Sequence, residues 1–193
     1  MLRFLLPLVF SLPLAAATLT VQVTDARGRA LDDAVVYAVP EGRSLPLARR
    51  TATMDQRNRQ FVPQVLPVQA GTAVHFPNND DVQHHVYSFS PAKKFQLPLY
   101  KGTPANPEIF DRAGVVTLGC NIHDQMSAFI IVVDTPYFAK TERGLAAIDD
   151  VEAGRYTVEV WNRGMRFEPR VVTLKGGDTL SLTFAAGRGN ARP

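Results

Sequence analysis

From Thr18 onward, apolar side chains return at every second position in one short run after another, and turn residues separate the runs. Leu19, Val21 and Val23 alternate with polar neighbours between Thr18 and Thr24, and Asp25 to Gly28 reads as a turn. The run Ala34 to Val39 is rich in β-branched residues and stops at Pro40. The same reasoning predicts strands at Phe61 to Val65, Ala73 to Phe76, Val86 to Phe89, Val115 to Leu118, Ala128 to Val133, Tyr156 to Trp161, Val171 to Leu174 and Thr179 to Phe184. A period of two turns one face of each strand toward a core and the other away from it. The helical period is nearly missing. Only Leu145, Ile148 and Val151, spaced by three, suggest a short helix, and Asp149-Asp150 interrupts it. Residues 41–59 are polar and arginine-rich and read as an exposed connection. Ser90 to Pro107 holds four prolines and reads as a long loop. The expected fold class is all-β, built as β-sandwiches.

The first seventeen residues have a different character. Met1-Leu2-Arg3 is a short positive start, Phe4 to Leu14 is mostly apolar, and Ala15-Ala16-Ala17 offers small residues to a signal peptidase. Residues 1–17 are therefore expected to be a cleaved signal peptide, too short to span a bilayer core, with the mature chain beginning at Thr18. The expected localisation is periplasmic, with no integral membrane segment after cleavage. Hydrophobic residues make up 46% of the chain and charged residues 20%, a globular balance. A net charge of +3 falls well short of a nucleic-acid-binding surface, so no nucleic acid is expected as partner.

Export gives the single cysteine weight. Cys120 has no partner for an intrachain disulfide, so it needs burial, another chain or a metal to protect it. It opens the stretch Cys120-Asn-Ile-His123-Asp-Gln-Met126, where cysteine, histidine and methionine stand three apart. Thiolate, thioether and two imidazoles form the ligand set of a blue copper centre, suited to both copper oxidation states. Singly, Cys120 reads as a small core residue, Met126 as a gap-filler and His123 as a loop residue. Together, flanked by strands, they read as a site. A structural zinc site usually needs two Cys/His pairs, and a Cys-His nucleophile would lack a recognisable orienting residue. A second imidazole must come from elsewhere. The histidines are His75, His84, His85 and His123, and the His84-His85 pair begins a predicted strand. Only one of two adjacent strand residues can face the site: His84 shares its face with Val86 and Ser88, His85 with the bulkier Tyr87 and Phe89. Four histidines cannot supply the extra sites of a multicopper enzyme, so no enzymatic activity is expected.

The stretch Phe61 to Asn78 resembles the opening strands of cupredoxins, and Asn78-x-Asp80-x-x-x-His84-His85-Val86 resembles their first ligand loop. Phe110 to Gly114, then Cys120, His123 and Met126 to Val133, resembles their second ligand loop and last strand. The Cys-x2-His-x2-Met spacing is that of the short amicyanin loop rather than the longer plastocyanin loop. This resemblance, over about residues 52 to 134, implies a Greek-key β-sandwich with one type 1 copper ion held by His84, Cys120, His123 and Met126. The interval from Asn78 to His84, typical of the family, favours His84 over His85. His85 stands where the family has an asparagine that ties the ligand loops together, and is expected to hydrogen-bond across to the Cys120 loop. Asn121 replaces the usual serine or threonine, and Ile122 a common proline.

A second resemblance flanks the first. Val21-x-Val-Thr-Asp-x-x-Gly28 with Ala34-Val-Val resembles the first strands of a carboxypeptidase-regulatory-like, transthyretin-type β-sandwich, and Arg143 to Val160 its later strands. The expected organisation is 18–51 as the first part of that sandwich, 52–134 as an inserted cupredoxin domain, 135–187 as the remainder and 188–193 as a loose tail. The whole arrangement resembles exported methylamine-utilisation-protein-like, plastocyanin-like proteins. It implies an exported electron carrier between redox protein partners, acidic ones if Lys93, Lys94 and Lys101 rim the site. The alternative is a copper-binding carrier that delivers the ion to another protein. His75 is expected to be structural, Trp161 to be sandwich core, and the C-terminal arginines to form a basic outer face.

Overall fold

The computed structural model of the chain describes residues 16–47 and 49–187. Most of the expected leader and the whole of the expected 188–193 tail lie outside the described residues. The chain opens with β1 (Ala17–Thr24) and β2 (Val35–Pro40). A central run follows: β3 (Thr51–Thr53), β4 (Asp55–Arg57), β5 (Gln60–Val62), β6 (Val65–Gln69), β7 (Thr72–His75), β8 (His84–Ser90), β9 (Lys93–Tyr100), β10 (Glu108–Phe110), β11 (Gly114–Gly119) and β12 (Ser127–Val133). It ends with β13 (Phe138–Lys140), β14 (Leu145–Val151), β15 (Gly154–Trp161), β16 (Arg170–Leu174) and β17 (Thr179–Ala185). The fold is all-β, with no helix among the described residues.

The two ends of the chain build one sandwich. β1 lies between β14, antiparallel, and β17, parallel, and this sheet faces a second one in the order β13-β2-β15-β16. The alternation read from the sequence becomes its core: Leu19, Val21 and Val23 meet Val36, Ala38, Ile148, Tyr156, Val158 and Phe184. The Tyr156 hydroxyl donates to the Glu152 carbonyl at 2.8 Å, which gives this buried phenol a partner.

The central run builds the other sandwich. A five-stranded sheet, β6-β12-β11-β8-β9, faces a three-stranded one, β10-β7-β3, while β4 and β5 form a separate hairpin. Val74, Phe76, Val86, Phe110, Val116, Leu118 and Ile130 fill the space between the sheets. The two sandwiches meet on β12. Its Ala128, Ile130 and Val132 face the central core, while Ile131 and Val133 join Val65 and Val35 in a separate apolar seam with Phe129, Tyr37, Phe138 and Trp161. Coverage on both faces explains why residues 128–133 are apolar without a break.

Five expectations about the strands need correction. Leu145–Val151 is strand β14, not a helix. Ile148 and Val151 sit three apart because of a bulge: Ala17 pairs with Val151 and Leu19 with Ile148, and Asp150 takes a φ of 57°. The 41–59 connection contains β3 and β4, with Met54 and Gln56 fully buried. Phe61 to Val65 is divided between β5 and β6, with Pro63 between them. The supposed loop from Ser90 to Pro107 contains β9 and ends where β10 begins. β9 tolerates Pro98 because it is the edge strand, where a missing N–H leaves no neighbour unpaired. Trp161 lies at the seam against Phe129, ring centroids 5.3 Å apart, rather than inside a sandwich core.

Candidate metal centre

Adjacent strands of the five-stranded sheet deliver the two halves of the site. Gly119 at the end of β11 pairs with Tyr87 of β8, which brings Cys120 beside the start of β8, where His84 lies. His123 sits in the short turn after Cys120, and the Met126 N–H closes that turn on the His123 carbonyl at 2.9 Å. Cys120 Sγ lies 4.0 Å from His84 Nδ1 and 3.9 Å from His123 Nδ1. One donor atom from each of the three residues falls within 4.8 Å of the others. Met126 is buried in the same core cluster as Cys120.

The donor spacing fits a metal ion. With a metal–sulfur bond of about 2.3 Å and a metal–nitrogen bond of about 2.0 Å, a planar trigonal arrangement puts sulfur about 3.7 Å from nitrogen, and a tetrahedral one about 3.5 Å. The observed separations lie nearer the trigonal value. The donor set is soft sulfur plus imidazole, which suits copper. Enclosure is uneven. His84 is 0% exposed, Cys120 4% and Met126 2%, whereas His123 is half-buried and opens to the surface.

His84 is held from behind. Its Nε2 lies 2.8 Å from Asp80 Oδ2, so Nε2–H donates to the carboxylate and the Nδ1 lone pair is left facing Cys120. Asp80 also accepts the Arg59 N–H at 2.6 Å and the Asp81 N–H at 2.9 Å. The His84 contact first, and then the backbone donors, hold the Asp80 carboxyl well below its usual range. Asn78 shapes this loop: its Oδ1 accepts the Asp80 N–H at 3.0 Å, and its Nδ2 donates to the Val82 and Tyr100 carbonyls. The phenol of Tyr100, whose residue pairs with His84, donates to the Phe76 carbonyl at 2.7 Å, and burial pushes its pKa up to about 12.

The remaining candidates separate cleanly. His85 turns to the other face of β8, its ring centroid 5.5 Å from that of Tyr87. Both of its ring nitrogens are buried without a hydrogen-bond partner, so the expected bridge to the Cys120 loop is not made. Burial lowers its pKa and favours the neutral ring. His75 is half-buried on β7 and does not join the cluster. The three lysines do not share one rim. Lys93 pairs with Glu108 at 2.9 Å, Lys94 stands opposite Phe89, and Lys101, at the far end of β9, donates to the Asp81 carbonyl. A groove of about 710 Å³ runs beside His123, between its turn and the β4–β5 hairpin. The sequence reading assigned no role to Asp80 or Tyr100, although Asp80 stands four residues before His84 in the stretch that drew the resemblance.

No family model and no curated protein matches the chain. Among solved structures it is similar to a purple cupredoxin from Nitrosopumilus maritimus, with 21% identity, covering 42% of this chain and 99% of that one, at a TM-score of 0.38. It is also similar to a reduced amicyanin mutant, with 20% identity over 50% of this chain and 99% of that one, TM-score 0.39. A third is a copper-containing nitrite reductase from Thermus scotoductus, with 19% identity and TM-score 0.42 over 58% of this chain, which spans 28% of that enzyme.

Proposed function

We propose that this chain is an exported type 1 copper protein that carries single electrons between redox proteins. The uneven enclosure of the site carries the reading: His84, Cys120 and Met126 are buried and only His123 opens to the surface. A delivery protein needs an open site from which the ion can leave. An electron carrier needs an enclosed site with one edge through which a partner can be reached. His84 and His123 would hold the ion through Nδ1, Cys120 through its thiolate and Met126 through its thioether. Bound copper would supply a centre that alternates between two oxidation states. The protein's part is to hold these donors fixed in a dry pocket, so that little has to move with each electron. Asp80 fixes the tautomer and orientation of His84. No catalytic role is assigned.

The domain reading belongs to the same proposal. Residues 52–134 form a cupredoxin domain inserted into a transthyretin-type sandwich made from 18–51 and 135–187. In support, β1 pairs with β14 and β17, and β2 with β13 and β15. The periplasmic location follows from the leader-like residues 1–17. No helix among the described residues is long and apolar enough to cross a membrane.

The test is the visible spectrum after addition of copper(II). The reading expects an intense thiolate-to-copper band in the wild type and its loss in Cys120→Ser. A pale complex in the wild type sinks electron transfer and favours copper delivery.

A further inference from the structure

The outer face of the five-stranded sheet is covered on only one side. Phe129 and Ile131 of β12, with Val65 of β6, are packed in the seam against the other sandwich. The register carries the same face onward, because Thr117 pairs with Phe129, Val115 with Ile131, Gly119 with Tyr87 and Phe89 with Lys94. On β11, β8 and β9 this face ends in exposed side chains. Phe89 is 74% exposed, more than any other large apolar residue among those described, and Val115 is 37% exposed. Single exposed apolar residues are ordinary, but this one belongs to a stack. His85, Tyr87 and Phe89 follow one another with ring centroids 5.5 and 5.2 Å apart. A shallow hollow of about 300 Å³ opens between Tyr87, Phe89, Thr117 and Gly119.

The charge at the two ends of this strip has one sign. Lys94 is exposed beside Phe89, and the Arg163 guanidinium lies over the Phe129 ring, 5.3 Å from its centroid, at the seam end. Neither has a carboxylate partner among the described residues. An apolar centre flanked by unpaired cations complements a surface with an apolar centre flanked by carboxylates, and it repels a second copy of itself.

We propose that this strip, centred on Tyr87 and Phe89 and flanked by Lys94 and Arg163, is a docking surface for an acidic redox protein. It continues the intramolecular seam outward and is separate from the His123 opening. It also touches the strand that leads to the thiol. Gly119 directly precedes Cys120, and the Tyr87 ring lies so close over Gly119 that a Cβ there would come within 2.6 Å of it. That the partner is a redox protein rests on the electron-transfer reading; the surface itself does not, and copper colour tests that reading separately.

The experiment titrates the ¹⁵N-labelled, metal-free full chain with an acidic plant-type ferredoxin at low ionic strength. The expected result is saturable shifts of the amide signals of 87–90, 94 and 115–119. Lys94→Glu combined with Arg163→Glu should weaken binding roughly tenfold or more, and the difference should vanish at about 0.5 M salt. Phe89→Ser should weaken binding at both salt levels. All three positions are exposed or half-exposed, and melting curves of the variants establish that they fold. Shifts centred on 121–125, shifts scattered over the surface, or no saturable shifts would overturn the proposal.

Discussion

Asp80 Oδ2 lies 2.8 Å from His84 Nε2, on the side of the imidazole away from Cys120. The carboxylate makes His84 a more basic donor and adds negative charge near the site. Both effects favour the more highly charged copper(II). Asp80→Asn keeps the shape and one acceptor oxygen, which can still take the His84 and Arg59 N–H groups, but removes the charge and the second oxygen that accepts the Asp81 N–H. The expected variant is still blue, binds copper(II) about 10–100-fold more weakly, and has a higher reduction potential. Voltammetry and a competition titration read both effects, and an unchanged potential would show that Asp80 does not act through His84.

Met126→Gln tests Met126 as a fourth ligand. Met126 is buried in the core cluster that includes Cys120, so a side chain of similar length should be accommodated. An amide oxygen is a harder donor than a thioether and stabilises copper(I) less. The variant is expected to stay coloured with a lowered potential. If voltammetry finds no change, Met126 is a packing residue alone.

The site was more legible than the sheet around it. Cys120, His123 and Met126 lie within seven residues, so local spacing carried their chemistry. The strand period said that only one of His84 and His85 could face the site, and the family-like interval from Asn78 favoured His84; the two residues do take opposite faces of β8. Local pattern could not find Asp80's role, because the Asp80 contact depends on how the 78–84 loop folds back. β9 was hidden for a related reason. Its proline and two lysines look like loop chemistry, and an edge strand tolerates both. β14 imitated a helix because one bulge set the buried Ile148 and Val151 three apart, while Leu145, three before Ile148, is an exposed strand residue outside that core. The continuous apolar run of β12 marked burial on both faces, but the sequence alone could not say what covered the second face.

Acid should loosen the hairpin that faces the site. Burial raises the Asp55 pKa, but hydrogen bonds from Asn79 and the Gln56 N–H, and the Arg57 guanidinium, outweigh it, so the carboxyl titrates below the usual carboxylate range. A carboxyl with a depressed folded-state pKa contributes stability that is fully present above the unfolded value and is lost as pH falls through the folded one. The metal-free protein should therefore lose stability below about pH 4. Asp55→Asn should lower stability at pH 7 by about 1 kcal/mol and flatten the acid limb. Denaturant titrations across pH 2–7 check this, and an equally steep acid limb in the variant would assign it to other carboxylates.

Gly119 is required by the ring above it. A Cβ at this position would lie 2.6 Å from Tyr87 Cζ. The clash is with the far end of a side chain, so the ring can swing away at the cost of its packing. Gly119→Ala is expected to destabilise by about 1 kcal/mol, and far less when combined with Tyr87→Ala. A double-mutant cycle by denaturant unfolding measures the coupling, and additive effects would mean that Gly119 serves backbone conformation instead.

Trp161 is the only tryptophan in the chain and stands at the seam, against Phe129 of the other sandwich. Its emission therefore reports whether the two sandwiches are docked. The seam is apolar and includes the fully buried Val35, so separating the sandwiches exposes surface that each would have to cover again. In the wild type, the red shift of tryptophan emission and the loss of copper colour should occur together in denaturant, as expected when the two cores unfold as one unit. Phe129→Ala removes the ring between Trp161 and the Arg163 guanidinium without touching the core that holds Cys120. The expected cost is about 2 kcal/mol, less than for a fully buried phenylalanine because this ring is only half-buried. Emission should shift to the red in the native state, and the two transitions should separate, with tryptophan changing at lower denaturant. The same exposed surface predicts that residues 52–134 expressed alone bind copper but associate through Phe129, Ile131 and Val133. Two separate transitions already present in the wild type would mean that the seam does not couple the sandwiches.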